Sequence, residues 1–135
     1  MGAKPVIYLT ADLVVDITSM VLAQRRQDTA VRDHGLLESA VHRPRSSSFG
    51  VEHYPGLFDK GAALMQSLAR NHVFVDGNKR AAWNCTATFL ELNGAPLITP
   101  VDEERAEQFV LDVSTGKLDD VEEIAGALRT FHAVP

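Results

Sequence analysis

Residues 72 to 80 read HVFVDGNKR and bring a histidine, a carboxylate, a glycine, an amide and two adjacent cations into one stretch between segments of helical periodicity. A surface turn accounts for Gly77 and Asn78. It does not account for Lys79 and Arg80, which open a helix, where cations are unfavourable beside the positive end of the dipole unless an anion is bound there. The free amide hydrogens of a helix start form such an anion site. Arg80 can clamp phosphate oxygens through its planar fork, Lys79 can act as a mobile point charge, and Gly77 lets a ligand approach the backbone. Asp76 repels phosphate unless it holds a divalent cation that bridges to the phosphate oxygens, so the carboxylate predicts magnesium. His72 is the side chain suited to take a proton from an attacking hydroxyl near neutral pH. A polyphosphate resolves the pattern, and together the residues describe phosphoryl or nucleotidyl transfer. Taken singly, each has a structural reading: a histidine ending a helix, an Asp76 N-cap, a DGN turn. Arg70, just before the stretch, can reach either a phosphate or a neighbouring carboxylate, and the sequence favours neither.

Helices must carry these groups. Thr10 caps a first helix whose face is Leu13, Val14, Ile17, Met20 and Val21, fading near Arg26. Residues 35 to 43 form a second, stopped by Pro44. Residues 44 to 56 lack any period and read as a lid or a disordered loop. Leu57, Gly61, Leu64, Met65 and Leu68 mark a third helix that delivers His72 at its end on the same face. The fourth, beginning near Asp76 or Gly77, carries Ala82, Cys85, Thr86, Phe89 and Leu90, and its apolar character on most sides predicts the central position. Gly94 ends it. Residues 95 to 99 read as a short extended connection. Thr99 then offers an N-cap, with Pro100 just inside a fifth helix bearing Ala106, Phe109, Val110 and Val113. A sixth carries Val121, Ile124, Ala125, Leu128 and Phe131. The expected fold is all-α, a compact single domain over residues 1 to 135, with no strand-rich region.

Composition sets further bounds. The 135 residues are 45% hydrophobic and 23% charged, ordinary globular values. Formal charge is −5, and it is uneven: residues 1 to 101 carry 10 basic and 9 acidic side chains, residues 102 to 135 carry 3 and 9. Such a chain lacks the broad cationic field that nucleic-acid binding needs. Its single cysteine, Cys85, excludes an intramolecular disulfide and reads as a small core hydrophobe. Asp12 and Asp16 interrupt any signal-like run, and no stretch approaches the roughly 18 apolar residues of a membrane span. A cytoplasmic location, with no membrane or direct nucleic-acid partner, is the expectation. A histidine-based metal hydrolase using His34, His42, His53 and His72 lacks the H-E-x-x-H spacing.

HVFVDGNKR resembles the signature of the Fic/Doc superfamily, whose Fic branch reads H-P-F-x-[DE]-G-N-G-R-x-x-R and whose Doc (death on curing) branch reads H-x-F-x-D-x-N-K-R. The matching residues are His72, Phe74, Asp76, Asn78, Lys79 and Arg80. HGLLESAVHRPR is similar to the upstream helix and turn of Doc-like proteins, residues 44 to 56 fall where the family has its substrate-positioning flap, and the resemblance covers residues 8 to 132. It implies a Fic/Doc-like helical bundle in which His72 is the general base, Asp76 binds Mg²⁺, and Asn78, Lys79 and Arg80 engage the phosphates of ATP. Lys79 replaces the second Fic glycine and Trp83 the final Fic arginine; both departures match the Doc branch, as does Val73, whereas Gly77 is Fic-like. The Doc branch implies a toxin of a toxin–antitoxin module, a kinase that transfers the γ-phosphate of ATP to a hydroxyl of elongation factor Tu and halts translation. It also implies a small antitoxin whose disordered tail folds on the toxin. No S/T-x-x-x-E-[GN] stretch of the Fic self-inhibitory helix occurs. Two other readings stay open: a Fic-type AMP transferase, and a catalytically silent helical module that keeps the site as an anion or partner pocket. Ser46, Ser47, Ser48 and Phe49 of the flap can present a target segment by strand addition.

Overall fold

The computed structural model describes residues 4–23 and 30–135, in which six α-helices follow one another: α1 (Ala11–Ala23), α2 (His34–His42), α3 (Leu57–Arg70), α4 (Asn78–Leu92), α5 (Glu103–Thr115) and α6 (Val121–Phe131). The all-α architecture expected from periodicity is what the chain adopts. Among the described residues, no helix is long and apolar enough to cross a membrane.

Local chemistry explains most helix starts. Thr10 Oγ1 accepts the Leu13 N–H at 3.2 Å, as expected. Asp33, Asp102 and Asp120 cap α2, α5 and α6, each accepting a main-chain N–H of the first turn. A carboxylate cap of this kind contributes about 1 kcal/mol and favours the helix dipole as well. For α5 this corrects the expected Thr99 cap: the helix starts at Glu103, and Pro100 lies outside it after a cis Thr99–Pro100 peptide. The aspartate wins because its carboxylate meets the free N–H of Arg105 directly, at 3.1 Å.

Packing revises two further expectations. In α1 the buried residues are Val14, Thr18 and Leu22, while Met20, assigned to the inner face, is 75% exposed. The helix is turned so that a threonine points inward, with Thr18 Oγ1 3.9 Å from Cys85 Sγ. The expected fading near Arg26 lies outside the described residues. The central helix is α3 even more than α4: ten of its residues are buried, against six in α4. Gly61, Ala62, Ala63, Ser67 and Ala69 are small enough to let α4 and α6 approach, and a Cβ on Gly61 would lie 3.2 Å from Leu90 Cδ2. Leu64, Met65, Leu68, Phe89, Leu90, Ile124 and Leu128 are each no more than 1% exposed and fill the space between these helices. Each fully buried aliphatic or aromatic side chain of this kind contributes about 2 kcal/mol.

Two irregular segments are more ordered than their composition suggests. α2 ends at His42, just before Pro44 as expected, and the proline then sits inside a 3₁₀ turn, Arg43–Arg45, where it needs no N–H. Beyond it β1 (Ser47–Ser48) and β2 (Val51–Glu52) pair antiparallel, Ser47 opposite Glu52 and Ser48 opposite Val51. Phe49 and Gly50 at the tip both have positive φ, 52° and 78°, as a two-residue hairpin turn requires. Lys60 of α3 anchors this hairpin from below: almost fully buried, it donates to Glu52 Oε1 at 2.9 Å and to the Tyr54 carbonyl. The extended residues 95 to 99 bridge to the end of α6, with Leu97 opposite His132.

Candidate active site

The loop between α3 and α4 is held by backbone pairing to the segment before α2. Arg32 N–H donates to Val73 O at 2.8 Å and Val75 N–H to Ala30 O at 3.0 Å, and Val31 and Phe74 form an antiparallel bridge. Val73 and Phe74 are buried beneath it, 0% and 1% exposed, and these two apolar residues fix the loop to the core.

His72 does not end α3 on its apolar face. The helix stops at Arg70, Asn71 is the C-cap, and His72 follows with φ +51°, its residue exposed. That left-handed position after a C-cap normally goes to glycine, and an L-residue there costs about 1 kcal/mol. Arg32 stabilises it: Nε donates to His72 O at 2.6 Å and Nη2 to Asn71 O at 3.1 Å, so one guanidinium holds the two carbonyls that the turn exposes. The sequence reading missed Arg32, which lies 40 residues away along the chain. No local spacing signals such a contact. Strain of this kind, held in place by surrounding structure, clusters at functional sites.

The rest of the loop presents the start of α4. Asp76 is exposed, and its Oδ1 accepts the Gly77 N–H at 2.8 Å. Gly77, with φ +75°, is the N-cap and supplies no side-chain cap, unlike the aspartates that close α2, α5 and α6. A Cβ on Gly77 would lie 2.7 Å from Leu22 Cδ2, so packing against α1 requires glycine here whether or not a ligand approaches. Asn78 uses its side chain on the loop: Oδ1 accepts Phe74 N–H and Nδ2 donates to Phe74 O, both at 2.9 Å. This reciprocal pair positions the loop rather than offering the amide carbonyl to a ligand. Lys79 is exposed and Arg80 half-buried in the first turn, which contains no acidic residue. The arrangement can receive an anion at the α4 N-terminus, with two cations beside it and an imidazole and a carboxylate on the preceding loop.

The fit of a divalent cation rests on Asp76. Among the described residues, no three His, Cys, Asp or Glu side chains gather as an all-protein metal cage. Mg²⁺ does not ask for one, since it is commonly held by one or two carboxylates together with substrate phosphates and water. An exposed aspartate next to an anion-receiving helix start fits that mode.

Arg70 and Trp83 also take structural partners. Arg70 pairs with Asp119 of the α5–α6 connection, the carboxylate alternative of the two that the sequence left open. With Arg43, Gln66, Ser67, Asn71 and Asp119 it lines an open polar cleft of about 550 Å³. Both guanidinium groups of that cleft are engaged within its wall, Arg43 with Tyr54 Oη, Ala63 O and Ser67 Oγ. Trp83, at the position of the final Fic arginine, packs edge-on against Phe131 and Phe109 at centroid distances of 5.2 and 6.5 Å. Cys85 is buried, and burial pushes its thiol up to about 12 against the opposing hydrogen bond from Thr18, so it is no nucleophile at neutral pH.

Comparison with known proteins gives the family. The family model described as "Fic/DOC family" matches residues 8–90. Toxin Doc of Mycolicibacterium smegmatis is 52% identical over 103 residues, covering 76% of this chain and 78% of that protein. Protein kinase doc of Escherichia phage P1 is 29% identical over 100 residues, 74% of this chain and 75% of that protein. With the motif loop, its helical frame and these matches in agreement, the chain belongs to the Fic/DOC family, on its Doc side.

Proposed function

We propose that this chain is a Doc-like toxin, a protein kinase that transfers the γ-phosphate of ATP to a hydroxyl of a translation factor, elongation factor Tu by resemblance, and so inhibits translation. The observation that carries the reading is the start of α4: a left-handed glycine cap without a carboxylate, followed by Lys79 and Arg80, beside a loop that holds His72 and Asp76. The name of the phage P1 relative, a protein kinase, supports phosphoryl rather than nucleotidyl transfer.

In this mechanism the main-chain N–H groups of the first turn, with Lys79 and Arg80, bind the phosphates, and His72 accepts the proton of the attacking hydroxyl on an imidazole nitrogen. Asp76 would hold Mg²⁺, which neutralises phosphate charge when bound. Arg32 and Asn78 act by position, the first by holding the carbonyls of residues 71 and 72, the second by tying the loop to α4. The hairpin edge beside the exposed Phe49 and Val51 is suited to align a target segment by strand addition. A small antitoxin with a disordered tail, folding on the surface, would silence the toxin; cytoplasmic residence goes with such a target.

The AMP-transferase reading draws on Gly77, but Leu22 gives that glycine a packing role of its own. Trp83 weighs against it, because a side chain packed edge-on against the stacked Phe109 and Phe131 supplies no phosphate clamp. Induced expression in bacteria tests the toxin role. The wild-type chain is expected to arrest protein synthesis, and His72→Ala to grow normally; equal toxicity of the two would favour the silent binding module.

A further inference from the structure

The hairpin carries a second set of groups arranged for chemistry. Ser46 Oγ donates its one hydrogen to Arg43 O at 2.8 Å, so it can only accept at His53 Nδ1, 3.1 Å away. In the neutral imidazole Nδ1 then carries the hydrogen and Nε2 the lone pair. That lone pair meets Ser48 Oγ at 2.7 Å, which leaves Ser48 as donor. The chain from Ser48 to His53 to Ser46 to Arg43 therefore runs in one direction and ends on a main-chain carbonyl that cannot reverse it. A hydroxyl bonded to a base that a third group orients is the arrangement of an activated nucleophile.

The backbone holds these groups in place. His53 N–H donates to Ser46 O at 3.0 Å, the β1–β2 register sets Ser48 opposite Val51, and Lys60 fixes Glu52 and Tyr54 on either side of His53. Ser48 and His53 are exposed, so a phosphoryl donor can reach them. Cross-strand bonding alone would explain one serine on His53. It does not explain two, on opposite nitrogens, with the direction of donation fixed.

We propose that Ser48 is a modification site, the acceptor of a phosphoryl group from ATP, with His53 as its base; the donor rests on the phosphotransfer reading above. Ser48 Oγ attacks the γ-phosphorus of ATP bound at the α4 start of the same or a neighbouring copy. The Oγ–P bond forms as the bond to the β-phosphate oxygen breaks, and ADP leaves with that electron pair. The hydroxyl proton passes to His53 Nε2, and the imidazolium keeps its Nδ1–H on Ser46 Oγ. The product places a dianion next to the exposed Phe49 and Val51, turning an apolar hairpin tip into a charged one.

The test is incubation of the full chain with Mg²⁺ and ATP, followed by mass spectrometry of the tryptic peptide spanning residues 46 to 60. Phosphate is expected on Ser48, absent in Ser48→Ala, and formed about 100-fold more slowly in His53→Gln. Labelling of lysate proteins with Ser48 unmodified, or an unchanged rate in His53→Gln, would overturn the proposal while leaving the kinase reading intact. If no protein at all is phosphorylated, the kinase reading fails and a fluorophosphonate probe judges Ser48 without ATP. Labelling of Ser48 that depends on His53 supports the activated hydroxyl, and absent or His53-independent labelling refutes it.

Discussion

Gly77 and Leu22 share one space: a Cβ on the glycine would lie 2.7 Å from Leu22 Cδ2 and closer still to Cδ1. The left-handed cap of α4 and the inner end of α1 are thus fitted to each other, and the loop that carries His72 and Asp76 depends on that fit. Gly77→Ala is expected to cost about 3 kcal/mol, combining positive-φ strain with overpacking of the leucine. Leu22→Ala alone, at a position 0% exposed, should cost about 2–5 kcal/mol. In urea unfolding the double variant should lose clearly less than the sum; strict additivity would show that the two residues do not compete.

Arg32 holds His72 by its main chain, so its loss should affect chemistry more than folding. Arg32→Ala is expected to lower transfer activity about tenfold to 100-fold through misplacement of the imidazole. Thermal unfolding should change little, since the side chain is exposed. Arg32→Lys cannot bridge two carbonyls with a planar fork and should recover little. Activity that falls only in step with stability would reduce Arg32 to an ordinary structural contact.

His132 gives the fold a pH dependence. It is 1% exposed, donates from Nδ1 to Ala95 O at 2.8 Å, and among the described residues has no partner for Nε2. Burial lowers its pKa from the usual 6.5, outweighing the opposing pull of the Ala95 bond and Glu91. Below 6.5 the unfolded chain therefore binds the proton more readily than the folded one. The stability tied to neutral His132 is complete above pH 6.5 and is lost as pH falls toward and through the lowered value. His132→Asn keeps a donor near Nδ1 without titrating, so denaturation of this variant should show a shallower acid decline. Parallel declines would assign the effect to other groups.

Thr86 faces the core with its hydroxyl buried and, among the described residues, unpartnered. Replacing it by the similarly shaped valine removes an unsatisfied polar atom, and Thr86→Val should stabilise the chain by about 1 kcal/mol in urea unfolding. A comparable loss would mean that the hydroxyl finds a partner in solution.

How much of this was legible in the sequence depends on the distance over which each feature is determined. Helix existence and type follow from local periodicity, and Val14, Leu64, Leu68, Phe89, Val113 and Leu128 all lie where that periodicity puts them. The boundaries turn on capping, a competition among neighbours. Asp102 prevailed over Thr99, and residue 72 became the left-handed end of α3 instead of its last turn. The motif itself was visible, but the reasons for its shape were not. Arg32 on the His72 carbonyl, Leu22 beneath Gly77 and Asp119 on Arg70 are contacts between distant segments with no periodic trace. The depth of α3 was hidden for a related cause: Lys60 and Ser67 are polar residues outside the apolar period, yet both are buried, Lys60 by the hairpin and Ser67 by Arg43.

The central claim is phosphoryl transfer at His72, and the most direct measurement uses ATP labelled separately at its α and γ phosphates. With purified protein, Mg²⁺ and bacterial lysate, label is predicted to enter a lysate protein from the γ position alone and to vanish with His72→Ala. Label entering only from the α position would contradict the account and assign the site to AMP transfer.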